Sequence, residues 1–109
     1  AGTYWYLPPE CFVMGSTPPR ISSKVDVWAL GVIFFQMLFG TRPFGEGQSQ
    51  EKVLHENTML RATHVNFPPK PLVSPDAKEF IKACLTHSQA DRPDVLKLCG
   101  HLYLRLRKL

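Results

Sequence analysis

A mainly α-helical fold built on one small core is what this chain of 109 residues predicts, and three features carry the prediction. Residues Val25 to Phe39 are apolar at 12 of 15 positions and stop at Gly40. Ser74-Pro75-Asp76 is a strong helix start, and the apolar residues that follow it keep helical spacing. Val95, Leu96, Leu98 and Cys99, just after Arg92-Pro93, fit a further helical face. With 44% hydrophobic residues the chain has enough apolar material for one domain and too little length for two.

Taken in order, Pro8-Pro9-Glu10 predicts a short helical turn reaching about Val13, because proline suits a first helical turn, where its missing N–H is not needed. Gly15 to Pro19 reads as a loop. Ser23 and Asp26 have capping-box spacing, a hydroxyl at the N-cap and a carboxylate three residues on. The helix they open should end at Gly40 as a left-handed C′ residue. Its apolar side chains cover every face, so it has to be surrounded, and the remaining helices are too few to close the circle. Part of its native packing is therefore expected from elements outside this sequence. Thr41 to Gly45 is a turn with Phe44 as an aromatic plug, and a second helix is expected from about Ser49 to Leu60. Phe67-Pro68-Pro69-Lys70-Pro71 is an extended connector. The third helix opens at Ser74 and buries Ala77, Phe80, Ile81, Cys84 and Leu85; the fourth follows Pro93. The tail Leu102 to Leu109 alternates and fits helix, strand or a frayed end.

Composition removes several function classes. Thirteen basic and nine acidic residues give a net charge of +4 without a concentrated basic face, which argues against direct nucleic-acid binding. Three cysteines, Cys11, Cys84 and Cys99, form no C-x-x-C pair, so neither a disulfide scaffold nor a zinc site is expected, and a reducing intracellular compartment fits. His55, His64, His87 and His101 lack metal spacing and neighbour no nucleophile motif. The longest apolar run falls short of the ~20 residues a membrane helix needs. No signal peptide is visible, and a start at Ala1-Gly2-Thr3 reads as a piece of a longer protein.

Gly2-Thr3-Tyr4-Trp5-Tyr6-Leu7-Pro8-Pro9-Glu10, then Asp26-Val27-Trp28-Ala29-Leu30-Gly31, then Asp91-Arg92-Pro93 stand in a fixed order. Together they resemble the end of an activation loop, the central helix and the distal arginine of a protein kinase, and so the helical carboxyl-terminal lobe of that fold. The resemblance implies that Gly2, Thr3 and Tyr6 belong to the substrate-binding loop, and that the acceptor is serine or threonine. It implies that Glu10 and Arg92 form an ion pair beneath that loop, a carboxylate matched to a guanidinium fork. Asp26 is implied to anchor the backbone of the catalytic loop, and Trp28 and Phe44 to pack. G-x-G-x-x-G, V-A-I-K, H-R-D-L-x-x-x-N and D-F-G do not occur here, so no catalytic residue lies in this segment, and ATP and Mg belong to the full-length kinase.

Pro8-Pro9-Glu10 in place of Ala-Pro-Glu, together with Lys24-Val25-Asp26-Val27-Trp28, Phe44-Gly45 and Glu56-Asn57-Thr58, is similar to the Tousled-like serine/threonine kinases. The likeness runs from Ala1 to about Tyr103. It implies a nuclear enzyme of chromatin assembly whose protein substrate is a histone chaperone, with the rest of the kinase domain as this segment's first partner. The alternative is a catalytically inert, kinase-derived interaction module that binds peptides or another kinase through its second helix and the Phe67 to Pro71 connector. D-F-G and H-R-D upstream of Ala1 would favour the enzyme, and an initiator methionine next to Gly2 the module.

Overall fold

A computed structural model describes residues 4–15 and 20–100, and among them every regular element is helical. Two 3-10 turns, Tyr4–Tyr6 and Pro9–Phe12, precede four α-helices: α1 at Lys24–Phe39, α2 at Gln50–His55, α3 at Pro75–Cys84 and α4 at Val95–Cys99. Gly2, Thr3 and the tail from Leu102 lie outside the described residues.

Helix α1 is the axis around which the others are placed. Val27, Trp28, Gly31, Val32 and Phe35 are buried, whereas Leu30, Ile33 and Met37 remain 45%, 46% and 76% exposed. These three recur at helical spacing and form an uncovered apolar stripe, in line with a helix whose every face is built for burial. Gly40 ends α1 in the left-handed conformation, φ 76°, and its N–H donates to Gln36 O at 2.8 Å. Only a residue without a Cβ takes that conformation at no steric cost.

The start of α1 differs from the capping box expected of Ser23 and Asp26. Ser23 already has helical dihedrals, φ −62° and ψ −11°, and its side chain caps nothing. A capping hydroxyl needs extended backbone to turn back on the first turn. The hydroxyl of Ser22, one residue earlier, accepts from Lys24 N instead. Asp26 is exposed, and among the described residues its carboxylate has no hydrogen-bond or ion-pair partner.

Packing against α1 comes mainly from α3. Ser74 Oγ accepts from Ala77 N, Pro75 occupies the first turn, and Ala77, Phe80, Ile81 and Cys84 face inward, as the sequence pattern requires. The helices approach at Gly31, where an added Cβ would sit 2.5 Å from Cys84 Cβ and 3.0 Å from Leu85 Cδ2. On one flank of α1, Trp28, Val32 and Phe35 join Phe12, Val53, Met59, Ala62, Ile81 and Leu85; on the other, Val27 meets Phe80, Cys84 and Leu98.

Helix α2 is shorter than the expected span to Leu60. Asn57 adopts φ 55°, Thr58 N donates to Val53 O and Asn57 N to Leu54 O, which together terminate the helix in a Schellman arrangement. Asn is one of the few non-glycine residues that accept this geometry. Helix α4 is capped by Asp94, which accepts from Lys97 N at 2.8 Å, a cap the sequence reading did not single out. Of its expected apolar face only Leu98 is buried; Val95 and Leu96 are 51% and 85% exposed.

Two outcomes follow for the folded protein. Gly31→Ala should lower stability by about 1–3 kcal/mol in urea unfolding, since the added methyl meets Cys84 Cβ next to the α3 backbone rather than the end of a flexible chain. Burial pushes the Cys84 thiol from its ordinary 9.0 up to about 12. An unfolded chain therefore ionises first, and the stability tied to this thiol is intact below pH 9 and falls as pH rises through that window. Iodoacetamide near pH 8 should accordingly modify exposed Cys99 well before Cys84, as read by peptide mass spectrometry.

Candidate functional site

The segment Tyr4 to Glu10 runs along α1, from Gln36 in its last turns, which bonds Tyr6, to Lys24 at its start, which bonds the Arg92 partner of Glu10, and is fixed at each of its parts. Pro9 sits in the first turn of its 3-10 helix, of which Pro9, Glu10 and Phe12 are buried. Tyr4 packs edge-on against Phe12, with ring centroids 5.6 Å apart. Tyr4 N donates to Gln50 Oε1 at 3.1 Å, which ties the turn to α2. Trp5 Nε1 donates to Gly45 O at 3.1 Å, and Gly45, at φ 73°, comes so close that a Cβ there would lie 2.8 Å from Trp5 Cδ1. The Arg42 guanidinium lies 4.1 Å from the centre of the Trp5 ring. Tyr6 donates its hydroxyl to Gln36 Oε1 at 2.7 Å, 30 residues away in sequence.

Beneath these contacts is the ion pair of Glu10 and Arg92. Arg92 Nη1 donates to Glu10 Oε2 at 2.7 Å and Nη2 to Glu10 Oε1 at 2.9 Å, a bidentate fork with side chains 0% and 4% exposed. The remaining Arg92 donors are also satisfied: Nε to Thr86 O at 2.9 Å, Nη2 to His87 O at 3.2 Å and Nη1 to Lys24 O at 3.4 Å. With five N–H groups and five acceptors, the guanidinium is held entirely by protein, the condition under which a buried pair repays its desolvation. Placement of Arg92 depends on the turn after α3, where its N–H donates to Ser88 O at 2.9 Å. Lys24 Nζ bonds Gln89 O and Ala90 O from the start of α1 and closes the same turn from the other side.

Trp28 lies between this pair and the turn after α1. Phe44 stacks on it with centroids 5.7 Å apart and planes 20° apart, and Arg92 Cζ is 5.1 Å from its ring centre. The aromatic plug at Phe44 thus finishes the floor under Arg92. Beside the pair, burial and the Glu10 carboxylate push the Cys11 thiol up, opposed by the Arg92 charge. His87 bonds Leu60 O through Nε2 at 2.9 Å and serves the architecture of the turn.

The structure brings together Glu10, Trp28 and Arg92, holds Tyr6 farther along α1 at Gln36, and leaves Asp26 apart on the exposed side of that helix. Sequence reasoning gave no site role to Gln36, Arg42, Gly45 or Gln50, although Gly45 stands in a motif that carries the family likeness. For Gln36 there was a signal, a lone amide inside an apolar helix. For the other three, only the folded chain shows the loop resting on them. Among the described residues no set of His, Cys, Asp and Glu is arranged to hold a metal ion, and no described helix is long and apolar enough to cross a membrane.

Residues 1–104 match the protein kinase domain family. Over 104 residues, 95% of this chain, the sequence is 62% identical to serine/threonine-protein kinase tousled-like 2 of Homo sapiens, of which it covers 14%. It is 62% identical over the same 95% to tousled-like 2 of Xenopus tropicalis, covering 15% of that protein. With serine/threonine-protein kinase TOUSLED of Arabidopsis thaliana it shares 58% identity over 109 residues, 99% of the chain and 16% of that relative. The chain thus spans between 14% and 16% of the length of these relatives.

Arg92→Ala should cost about 3–5 kcal/mol in the domain that contains this segment, because Glu10 is left buried without a counter-charge. Arg92→Lys should recover only part of that, since an ammonium cannot replace the fork or the contact at Nε. A Glu10/Arg92 double-mutant cycle in chemical denaturation checks both, and additive single effects would show that the two groups do not act as a pair.

Proposed function

Because the chain belongs to the protein kinase domain family, we propose that the protein containing it transfers the γ-phosphoryl group of ATP to serine or threonine hydroxyls of protein substrates. In that reaction the acceptor oxygen bonds to the γ-phosphorus, the bond to the bridging β–γ oxygen breaks, ADP departs and the hydroxyl proton passes to a base. None of the motifs that hold ATP, metal or that base occurs in these 109 residues. We assign ATP and Mg to the parts of a kinase domain that bear those motifs.

The role of this segment is to hold and shape the loop on which the substrate lies. The single observation that carries this reading is the buried fork between Glu10 and Arg92, which locks the Pro9–Phe12 turn onto α1. Upstream of that lock, Tyr4, Trp5 and Tyr6 are held by hydrogen bonds to three separate places on the scaffold. A loop fixed at this many points keeps a peptide's hydroxyl near its attack geometry, a contribution made through positioning rather than bond making. Gly2 and Thr3 are proposed to continue the loop toward the catalytic centre; they lie outside the described residues. Asp26, exposed on α1, is proposed to anchor the backbone of the catalytic loop when the whole domain is present. Nuclear location, a role in chromatin assembly and a histone-chaperone substrate are proposals that rest on the likeness to the tousled-like kinases.

One observation favours a second reading, an inert interaction module. The stripe of Leu30, Ile33 and Met37 on α1 is open and apolar, as a binding helix would be. The same stripe also suits burial by the remainder of a kinase domain.

Two measurements separate these readings. The complete kinase should phosphorylate a generic serine/threonine protein substrate with ATP, whereas the isolated 109-residue segment should show no ATP-dependent transfer; activity in the segment, or none in the complete protein, would favour a different assignment. In the complete kinase, Tyr6→Phe removes only the hydroxyl bonded to Gln36, so KM for a peptide substrate should rise about threefold to tenfold while KM for ATP stays the same. An unchanged peptide KM would remove the Tyr4 to Leu7 segment from the substrate site.

A further inference from the structure

Arg42 is a cation without a counter-ion at the edge of the loop. All nine acidic residues of the chain fall within the described residues, and the ion pairs among them join Lys52 to Glu56, Lys82 to Glu79 and Arg92 to Glu10. The Glu46 carboxylate accepts from the Arg42 backbone N–H at 3.1 Å but forms no ion pair with the guanidinium. Arg42 Nε is buried with no acceptor among the described residues, and neither Nη nitrogen donates to any of them. No Asp or Glu of this chain therefore forms an ion pair with the Arg42 guanidinium.

The geometry holds this charge in one place. The guanidinium lies over the Trp5 ring at 4.1 Å, and Trp5 is in turn fixed by its bond to Gly45 O and by the close approach of Gly45. Contact with the ring occupies one side of the guanidinium and buries Nε, which leaves the two Nη groups as the donors able to meet a carboxylate or a phosphate. The groups that hold the neighbouring loop residues are neutral amides, Gln36 under Tyr6 and Gln50 at Tyr4 N, and the nearby Glu46 carboxylate is engaged by the Arg42 backbone N–H rather than by its guanidinium. Two Nη groups without acceptors, on a charge preoriented at the margin of a substrate loop, form half of a recognition site.

We propose that Arg42, stacked on Trp5, selects peptide substrates that carry an anionic side chain, carboxylate or phosphate, at one position near the phosphoacceptor. The proposal rests on the reading of Tyr4 to Leu7 as part of the substrate loop. The anion takes the Nη groups of the guanidinium, and no covalent bond is made or broken. A basic side chain at the same position meets like charge and is disfavoured.

The test uses the complete kinase and a panel of serine peptides in which each position flanking the acceptor is in turn Ala, Asp, phosphoserine or Lys. Within each enzyme, kcat/KM is expressed relative to the Ala peptide, which makes the comparison independent of how much active protein a variant yields. The wild type should favour an anion about threefold to tenfold at one position, the range of a charge-assisted contact at a partly exposed site. Arg42→Gln should bring that ratio close to one, and Arg42→Glu should turn it toward Lys at the same position. Preference for Asp identifies a carboxylate ligand, preference for phosphoserine a previously phosphorylated substrate, and both support the proposal. It is overturned if the wild type shows no anionic preference at any position, or if Arg42→Gln keeps the preference intact. An unaltered profile in Arg42→Gln beside a raised peptide KM in Tyr6→Phe rejects Arg42 alone and leaves the substrate loop standing. Should Arg42→Glu fail to fold, Arg42→Gln carries the decision.

Discussion

The fork between Glu10 and Arg92 is the constraint on which the arrangement of this segment depends. Two opposite charges lie almost wholly out of water, and every guanidinium N–H has an acceptor. Such a pair tolerates little displacement, because each ion alone in that place carries an unfavourable desolvation of several kcal/mol. The fork therefore ties three stretches distant in sequence: the turn at Pro9–Phe12, the start of α1 at Lys24, and the turn between Thr86 and Arg92. Hydrophobic contact alone, which is not directional, would allow these stretches to slide against one another.

Packing sets the second constraint, centred on α1. Its buried face meets α3 at Gly31, where the absence of a side chain lets Cys84 and Leu85 approach, and Trp28 continues that face up to the ion pair. Phe35, Phe39 and Phe67 extend it downward, with centroids 4.7, 5.8 and 5.9 Å apart. The opposite side, Leu30, Ile33 and Met37, remains open. Among the described residues, one helix thus carries a buried surface and an open apolar one.

Above this base the loop is held mainly by neutral hydrogen bonds to side-chain amides and a backbone carbonyl. Neutral anchors fix the position of Tyr4, Trp5 and Tyr6 without adding negative charge near a substrate. The Arg42 cation is in consequence the group best placed to give the site a charge preference. Two arginines with the same side chain have opposite surroundings: Arg92 is ion-paired under the loop, and the Arg42 guanidinium at its edge has no ion-pair partner among the described residues.

Sequence alone fixed what depends on local chemistry and on short motifs. The stop of α1 at Gly40, the start of α3 at Ser74-Pro75 and the turn after Pro8 were legible because their geometry is dictated within a few residues. The family was legible from motif order, and with it the pairing of Glu10 and Arg92 as an implication of resemblance. Local patterns misled where two neighbouring residues offered the same chemistry: Ser22 and Ser23 both carry a hydroxyl, and the dihedrals of Ser23 decided which one serves α1. Asn57 cut α2 short by taking a left-handed conformation that its composition permits but does not require. Tertiary structure alone decided that Gln36, Gly45 and Gln50 lie under the loop and that Arg42 rests on Trp5 without a counter-charge. Those contacts join residues 30 to 46 positions apart, and such distances are set by how α1 and α2 pack, which no short stretch of sequence encodes.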